Sequence, residues 1–120
     1  MRLMLSSVSM IMLGVESVAT SVEFYRDRLG LTLNNQSGEF AFFSAGGITL
    51  ALGAPLGRAV RPRAGATEII FPVESVGASY GWLKHRGCEF ASEPREVTAG
   101  SWAATFTDPD GHRLTLFGPK

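Results

Sequence analysis

Apolar positions along the chain change spacing twice, in the same order each time. Val8 to Val15 and Glu68 to Val73 are apolar stretches of strand length, rich in the Val, Ile, Met and Phe that suit a pleated surface. Each is followed by apolar residues at helical spacing: Val18, Val22, Tyr25 and Leu29 in the first half, Val76, Tyr80 and Leu83 in the second. A serine precedes each helical pattern and a glycine, Gly30 or Gly87, follows it, which are start and stop signals. Further strands are predicted after each helix: Leu31 to Asn34, Phe40 to Ser44 and Ile48 to Leu52 in the first half, and Glu89 to Ala91, Ala103 to Thr107 and Arg113 to Phe117 in the second. Gly46-Gly47 reads as one hairpin turn. Asp108-Pro109-Asp110-Gly111 reads as the other, because proline presets φ and glycine accepts a positive φ.

The two halves are a sequence repeat. Val15-Glu16-Ser17-Val18 returns as Val73-Glu74-Ser75-Val76, 58 positions later. The predicted architecture is α+β: one domain, 1–120, of two βαβββ modules at about 1–54 and 67–120. The linker, 55–66, carries Pro55, Pro62, Arg58, Arg61 and Arg63. The three arginines read either as a small anion site or as a solvated, bent connection.

Length and charge narrow the function. A chain of 120 residues supports one core, so a sizeable ligand cavity has to be lined by a sheet or shared with a second chain, and a homodimer is expected. Eleven Lys+Arg balance eleven Asp+Glu, which leaves no electrostatic footprint for nucleic acid or an anionic membrane. No stretch approaches the ~20 apolar residues of a membrane span. The opening Met1-Arg2-Leu3-Met4-Leu5 is interrupted by Ser6, Ser7 and Ser9 and lacks the pattern of a signal peptide. The single cysteine, Cys88, excludes an intrachain disulfide and suits a reducing compartment, so a cytoplasmic location is expected.

Two segments carry a resemblance: Ser21-Val22-Glu23-Phe24-Tyr25-Arg26-Asp27-Arg28-Leu29-Gly30-Leu31 after the first strand, and Phe106-Thr107-Asp108-Pro109-Asp110-Gly111-His112-Arg113-Leu114-Thr115-Leu116 before the end. Together they resemble the vicinal oxygen chelate superfamily, which includes glyoxalase I, fosfomycin-resistance enzymes, extradiol dioxygenases and bleomycin-resistance proteins. The resemblance implies modules that each curl a sheet into half of a cavity, dimers whose sites draw on both chains, and metal ligands on the first and last strands. Those ligand positions fall on Met10, Glu68, Ala51 and Thr115. Of the four, only Glu68 is a credible ligand for a hard divalent cation. The departure resembles the metal-free, drug-binding bleomycin-resistance branch, so no metal and no cofactor are expected.

Strand alternation assigns Met10, Met12, Ala51, Glu68, Ile70, Thr115 and Phe117 to the cavity face, and Ile11, Leu13, Val15, Leu50, Leu52, Ile69, Phe71, Leu114 and Leu116 to the helices. Phe42 and Phe43 are consecutive and face opposite sides; Phe42 is placed in the cavity set, although alternation alone does not decide between them. Met10 and Met12 mould to a planar ligand or fill a closed barrel. Trp102 is read as a stacking platform on the rim. Glu68 is read as the partner of a ligand cation, as a general base with a raised pKa, or as a solvated strand-end carboxylate. His85 and His112 are assigned to surface and loop, Phe106 to the core, and Cys88 to a buried, inert position.

The leading expectation is a metal-free protein that binds a small apolar or aromatic compound, with antibiotic sequestration as one form of it. The first alternative is a metal-independent isomerase or lyase using Glu68 as base. The second is a metal-dependent glyoxalase- or dioxygenase-like enzyme with unusual ligands.

Overall fold

The computed structural model describes residues 4–61 and 64–120. Its first half runs β1 (Met10–Gly14), α1 (Val18–Val22), β2 (Thr32–Gln36), β3 (Phe40–Ala45) and β4 (Ile48–Gly53). A short helix, α2 (Ala54–Ala59), then leads to the second half: β5 (Glu68–Pro72), α3 (Val76–His85), β6 (Arg95–Thr98), β7 (Ser101–Thr107) and β8 (Arg113–Gly118). The repeated serines are the N-caps. Ser17 Oγ accepts from the Thr20 N–H at 3.2 Å and Ser75 Oγ accepts from the Ala78 N–H at 3.1 Å.

Each half folds its strands into one four-stranded sheet, in the orders β1-β4-β3-β2 and β5-β8-β7-β6. The β1/β4 and β5/β8 pairs are parallel and the others antiparallel, which is the βαβββ arrangement twice over. Two of the four outer strands are irregular: the register of β2 shifts between Leu33 and Asn35, and that of β6 between Glu96 and Thr98, while β1 and β5 at the opposite edges are regular.

The core gathers the helix-facing side of both sheets. Leu13, Phe43, Leu50, Leu52, Ala104, Phe106, Leu114 and Leu116 pack with Val18, Val22, Phe24, Tyr25, Val76 and Leu83 of the helices. The first helix widens after Val22 into a π-helical segment, Glu23–Arg28, closed by the Leu29 N–H to Phe24 carbonyl bond at 3.1 Å. Both Phe24 and Tyr25 are buried there, where regular helical spacing predicted only Tyr25.

The halves are tied together by the Asp108–Gly111 turn. Asp108 Oδ1 accepts from the Asp110 and His112 N–H groups at 2.9 and 2.8 Å, and Gly111 takes φ 87°. His112 is buried, and its Nε2 sits 2.7 Å from the Gly14 carbonyl, so that nitrogen carries the proton.

Four expectations change. The strand expected at Glu89 to Ala91 is a loop, and Phe90 makes only an isolated bridge to Phe106. The strand begins after Pro94, which cannot donate a ladder hydrogen bond. The linker contains α2, whose Gly57 packs so tightly on β1's exit that an added Cβ would lie 2.2 Å from the Val15 carbonyl oxygen. Arg58 is spent on an ion pair with Glu39 (2.6 Å), which argues against an arginine anion site in the linker; Arg63 lies outside the described residues. Ile11 is exposed rather than core.

Candidate functional site

The registers define a second face on each sheet, turned away from the helices. On the first sheet Met10 pairs with Thr49, Met12 with Ala51, and Phe42 with Ala51, so Met10, Met12, Phe42 and Ala51 share that face with Phe40 and Ser44. Phe43 is the fully buried one of the two phenylalanines, set against Leu50 on the helix side. The face holds no charged residue among these paired positions.

On the second sheet the shared face carries Glu68 opposite Arg113, Ile70 opposite Thr115, Pro72 opposite Phe117, and Thr105 opposite Thr115. Arg95 opposite Ala103 extends it onto β6. The polar residues form a row. Glu68 Oε2 accepts from Arg113 Nε at 2.6 Å and from the Thr115 hydroxyl at 2.8 Å. Thr115 has spent its proton on Glu68, so the 2.9 Å contact between the two threonine hydroxyls is Thr105 donating to Thr115. The Arg113 hydrogen bond, followed by that of Thr115, holds the Glu68 carboxyl below the usual carboxylate range.

The raised pKa expected of Glu68 as a general base is corrected: both of its hydrogen bonds hold the carboxyl down. A carboxylate with a lowered pKa is a weaker base, and proton abstraction beside a carbonyl calls for the opposite shift. Trp102 is also corrected. It shares the helix-facing side of β7 with Ala104 and Phe106, packs against the core, and has the Lys120 ammonium 5.0 Å from its ring centroid. It is not a platform on the open face. Cys88 is buried, and burial pushes its thiol pKa up.

The structure sets the sequence-predicted residues on two separate sheets. Met12 lines a cleft of 170 Å³ with Leu56, Val60 and His112, whereas Ile70 lines one of 380 Å³ with Ile11, Leu31, Ile48 and Ile69 at the β1/β5 junction. Met10, Ile70 and Phe117 are 42%, 56% and 41% exposed, which is unusual for large apolar side chains gathered on strand faces. Arg113, Thr105 and Arg95 were missed by sequence reasoning. Counting outward from the Asp108–Gly111 turn puts Thr105 and Thr107 on the face of Thr115 and Arg113, which was the available signal.

The metal implied by the superfamily can be tested against these donors. Met10 offers a thioether, Ala51 a methyl group and Thr115 a hydroxyl already donating to Glu68, while Glu68 is held by Arg113. Among the described residues no group of three or more His, Cys, Asp or Glu side chains could hold a metal ion. The residues at these positions do not fit a divalent cation.

Two four-stranded sheets, each built as βαβββ with one face turned from the helices, define a class, and comparison with known proteins agrees. Residues 7–116 match the model of the Glyoxalase/Bleomycin resistance protein/Dioxygenase superfamily, and the chain belongs to that superfamily. It is 32% identical to a metallothiol transferase FosB from Staphylococcus haemolyticus, across 94% of this chain and 84% of that protein. Among solved structures, a glyoxalase/bleomycin resistance protein/dioxygenase from Nocardioides superposes with a TM-score of 0.81 at 26% identity, covering 98% of this chain and 86% of the other. TnmS3, an antibiotic binding protein from Streptomyces sp. CB03234, superposes with a TM-score of 0.81 at 20% identity over 99% of this chain and 100% of its own, a likeness of fold. No helix among the described residues is long and apolar enough to cross a membrane.

Proposed function

We propose that this protein binds a small, largely apolar or aromatic compound between the open faces of its two sheets, without the divalent metal used by enzymes of the superfamily. The carrying observation is the occupation of the family's ligand positions: Met10, Ala51 and Thr115 supply no strong donor, and Glu68 is neutralised by Arg113. Exposed Met10, Ile70 and Phe117 supply apolar contact area. Because the two faces lie on different sheets, a homodimer that sets the first sheet of one chain against the second sheet of its partner is part of the reading. Sedimentation at micromolar concentration is expected to give a dimer.

The test is equilibrium binding of a panel of aromatic metabolites before and after exhaustive chelation. Binding that survives chelation supports the reading. Binding that disappears with the chelator and returns with zinc or manganese overturns it.

The identity to a metallothiol transferase favours one second reading, a metal-dependent thiol transferase with an atypical ligand set. Consumption of free cysteine in the presence of an electrophilic antibiotic, dependent on added divalent metal and lost in Glu68→Gln, is its expected signature.

A further inference from the structure

We infer that the compound taken by this site is an organic anion, an aromatic or otherwise apolar carboxylate, recognised by Arg113 and Arg95 on the open face of the second sheet. The inference rests on the small-molecule reading above and assigns the charge of the ligand, which that reading leaves open. Glu68 alone would predict the reverse, a cationic ligand. The geometry changes the sign.

The charges on this face sum in favour of an anion. The strand positions in register there carry two arginines, Arg95 and Arg113, against one glutamate, Glu68. Glu68 is tied to its own sheet: its Oε2 takes both Arg113 Nε and the Thr115 hydroxyl, so part of its charge is already met by Arg113. Arg113 is not fully engaged as a donor. Its one partner among the described residues is Glu68, reached through Nε, and its side chain remains 53% exposed, so the two terminal nitrogens of the fork are available. A planar fork with two free N–H₂ groups matches a carboxylate in bidentate geometry. Arg95 is exposed and makes no ion pair among the described residues.

What lies between the arginines defines the rest of the ligand. Arg95 and Arg113 stand two strands and four residues apart, roughly 16 Å of sheet. Phe117 and the methyl-bearing Thr105 and Thr115 occupy that span, Ile70 flanks it on β5, and the paired positions on the open face of the first sheet are uncharged. An apolar body whose carboxylate is taken by one arginine, with the other adding positive field along the same face, fits this layout; a strongly hydrated inorganic anion would leave Phe117 and Ile70 with nothing to cover them. The chain's net charge of zero means that the local arrangement, not a global field, sets this preference.

The experiment compares three probes of one shape on the full chain at neutral pH: 2-naphthoate, the neutral 2-naphthamide and the cationic 2-naphthylmethylammonium ion, by calorimetry. Naphthoate is expected to bind about ten-fold tighter than the amide, a margin that shrinks as salt is raised. Arg95→Gln, at an exposed position, is expected to lower naphthoate affinity and leave the amide unchanged. Glu68→Gln is expected to tighten naphthoate, since it removes the competing carboxylate from Arg113, while circular dichroism checks that the variant is folded. Tightest binding of the ammonium ion, or equal binding of all three, overturns the assignment of charge and leaves the small-molecule reading standing. Absence of binding by any of the three overturns both.

Discussion

The phenolic oxygen of Tyr25 donates to Asp108 Oδ2 across 2.7 Å, joining the first helix to the turn between the last two strands. The same carboxylate shapes that turn through its other oxygen, which accepts two backbone N–H groups. One aspartate therefore organises the β7/β8 hairpin and fastens it to the other half of the chain. Burial, reinforced by the neighbouring Asp108, pushes the Tyr25 phenol far above its ordinary pKa and keeps it a donor throughout the accessible pH range.

Tyr25→Phe keeps the ring packing against Phe24 and Phe43 but leaves one oxygen of a buried carboxylate without its donor. A loss of about 1–3 kcal/mol in urea unfolding is expected, with naphthoate affinity unchanged. A change within 0.3 kcal/mol of zero (about the error of such a measurement) would show that the bond contributes nothing net.

Two glycines of the chain respond oppositely to the same substitution. Gly57→Ala drives a methyl group into the Val15 backbone, 2.2 Å from its carbonyl oxygen, where neither partner can move freely. A destabilisation of about 2–4 kcal/mol is expected. Gly81 lies inside α3 with nothing within 4 Å of an added Cβ, so Gly81→Ala should stabilise by up to about 1 kcal/mol. Thermal unfolding of both variants checks the contrast.

Acid should reveal the Arg113–Glu68 pair. The folded-state pKa of Glu68 lies below its ordinary value of 4.5, so the pair's contribution is fully present above that value and is lost as pH falls through the folded pKa. The melting temperature of Glu68→Gln is expected to fall below that of the parent at pH 6 and to converge with it toward pH 3. The carboxylate is partly exposed, so the gap is small. A gap that persists unchanged to pH 3 would assign it to something other than ionisation.

Ligand affinity should depend on Phe117 and not on Trp102. Phe117→Ala removes an aromatic surface from the open face, and a loss of about ten-fold in affinity for an aromatic ligand is expected. Trp102→Phe alters the opposite side of β7 and should leave affinity within two-fold (about 0.4 kcal/mol). Calorimetry on the two variants separates the faces.

Much of the fold was legible because it is written locally and twice. Ser17 and Ser75 cap helices for the same reason at equivalent places, and the Asp108–Gly111 turn follows from proline and glycine geometry. Strand parity also placed Met12, Ala51, Ile70 and Thr115 on the face away from the helices, since the ladder period is two. What failed depended on register or on distant partners. The turn before β7 does not fix the side that Trp102 faces; its pairing with Gly118 does. The basicity of Glu68 depends on Arg113, a residue 45 positions away that only the β5/β8 pairing brings alongside. The π-helical widening after Val22 has no simple periodic signature, so helical spacing does not point to Phe24 as core.

The irregular outer strands bear on how the protein behaves when concentrated. Flat, unpaired strand edges invite further strands to add, and that is a common route to fibrils. Here the edge of β2 is bulged and carries Asn34, Asn35 and Gln36, and the edge of β6 is bulged and carries Arg95 and Glu96. Neither presents a regular, apolar template. Growth by edge-to-edge strand addition is therefore disfavoured along β2 and β6, and the regular, apolar β1 and β5 at the opposite edge of each sheet are where a further strand would add.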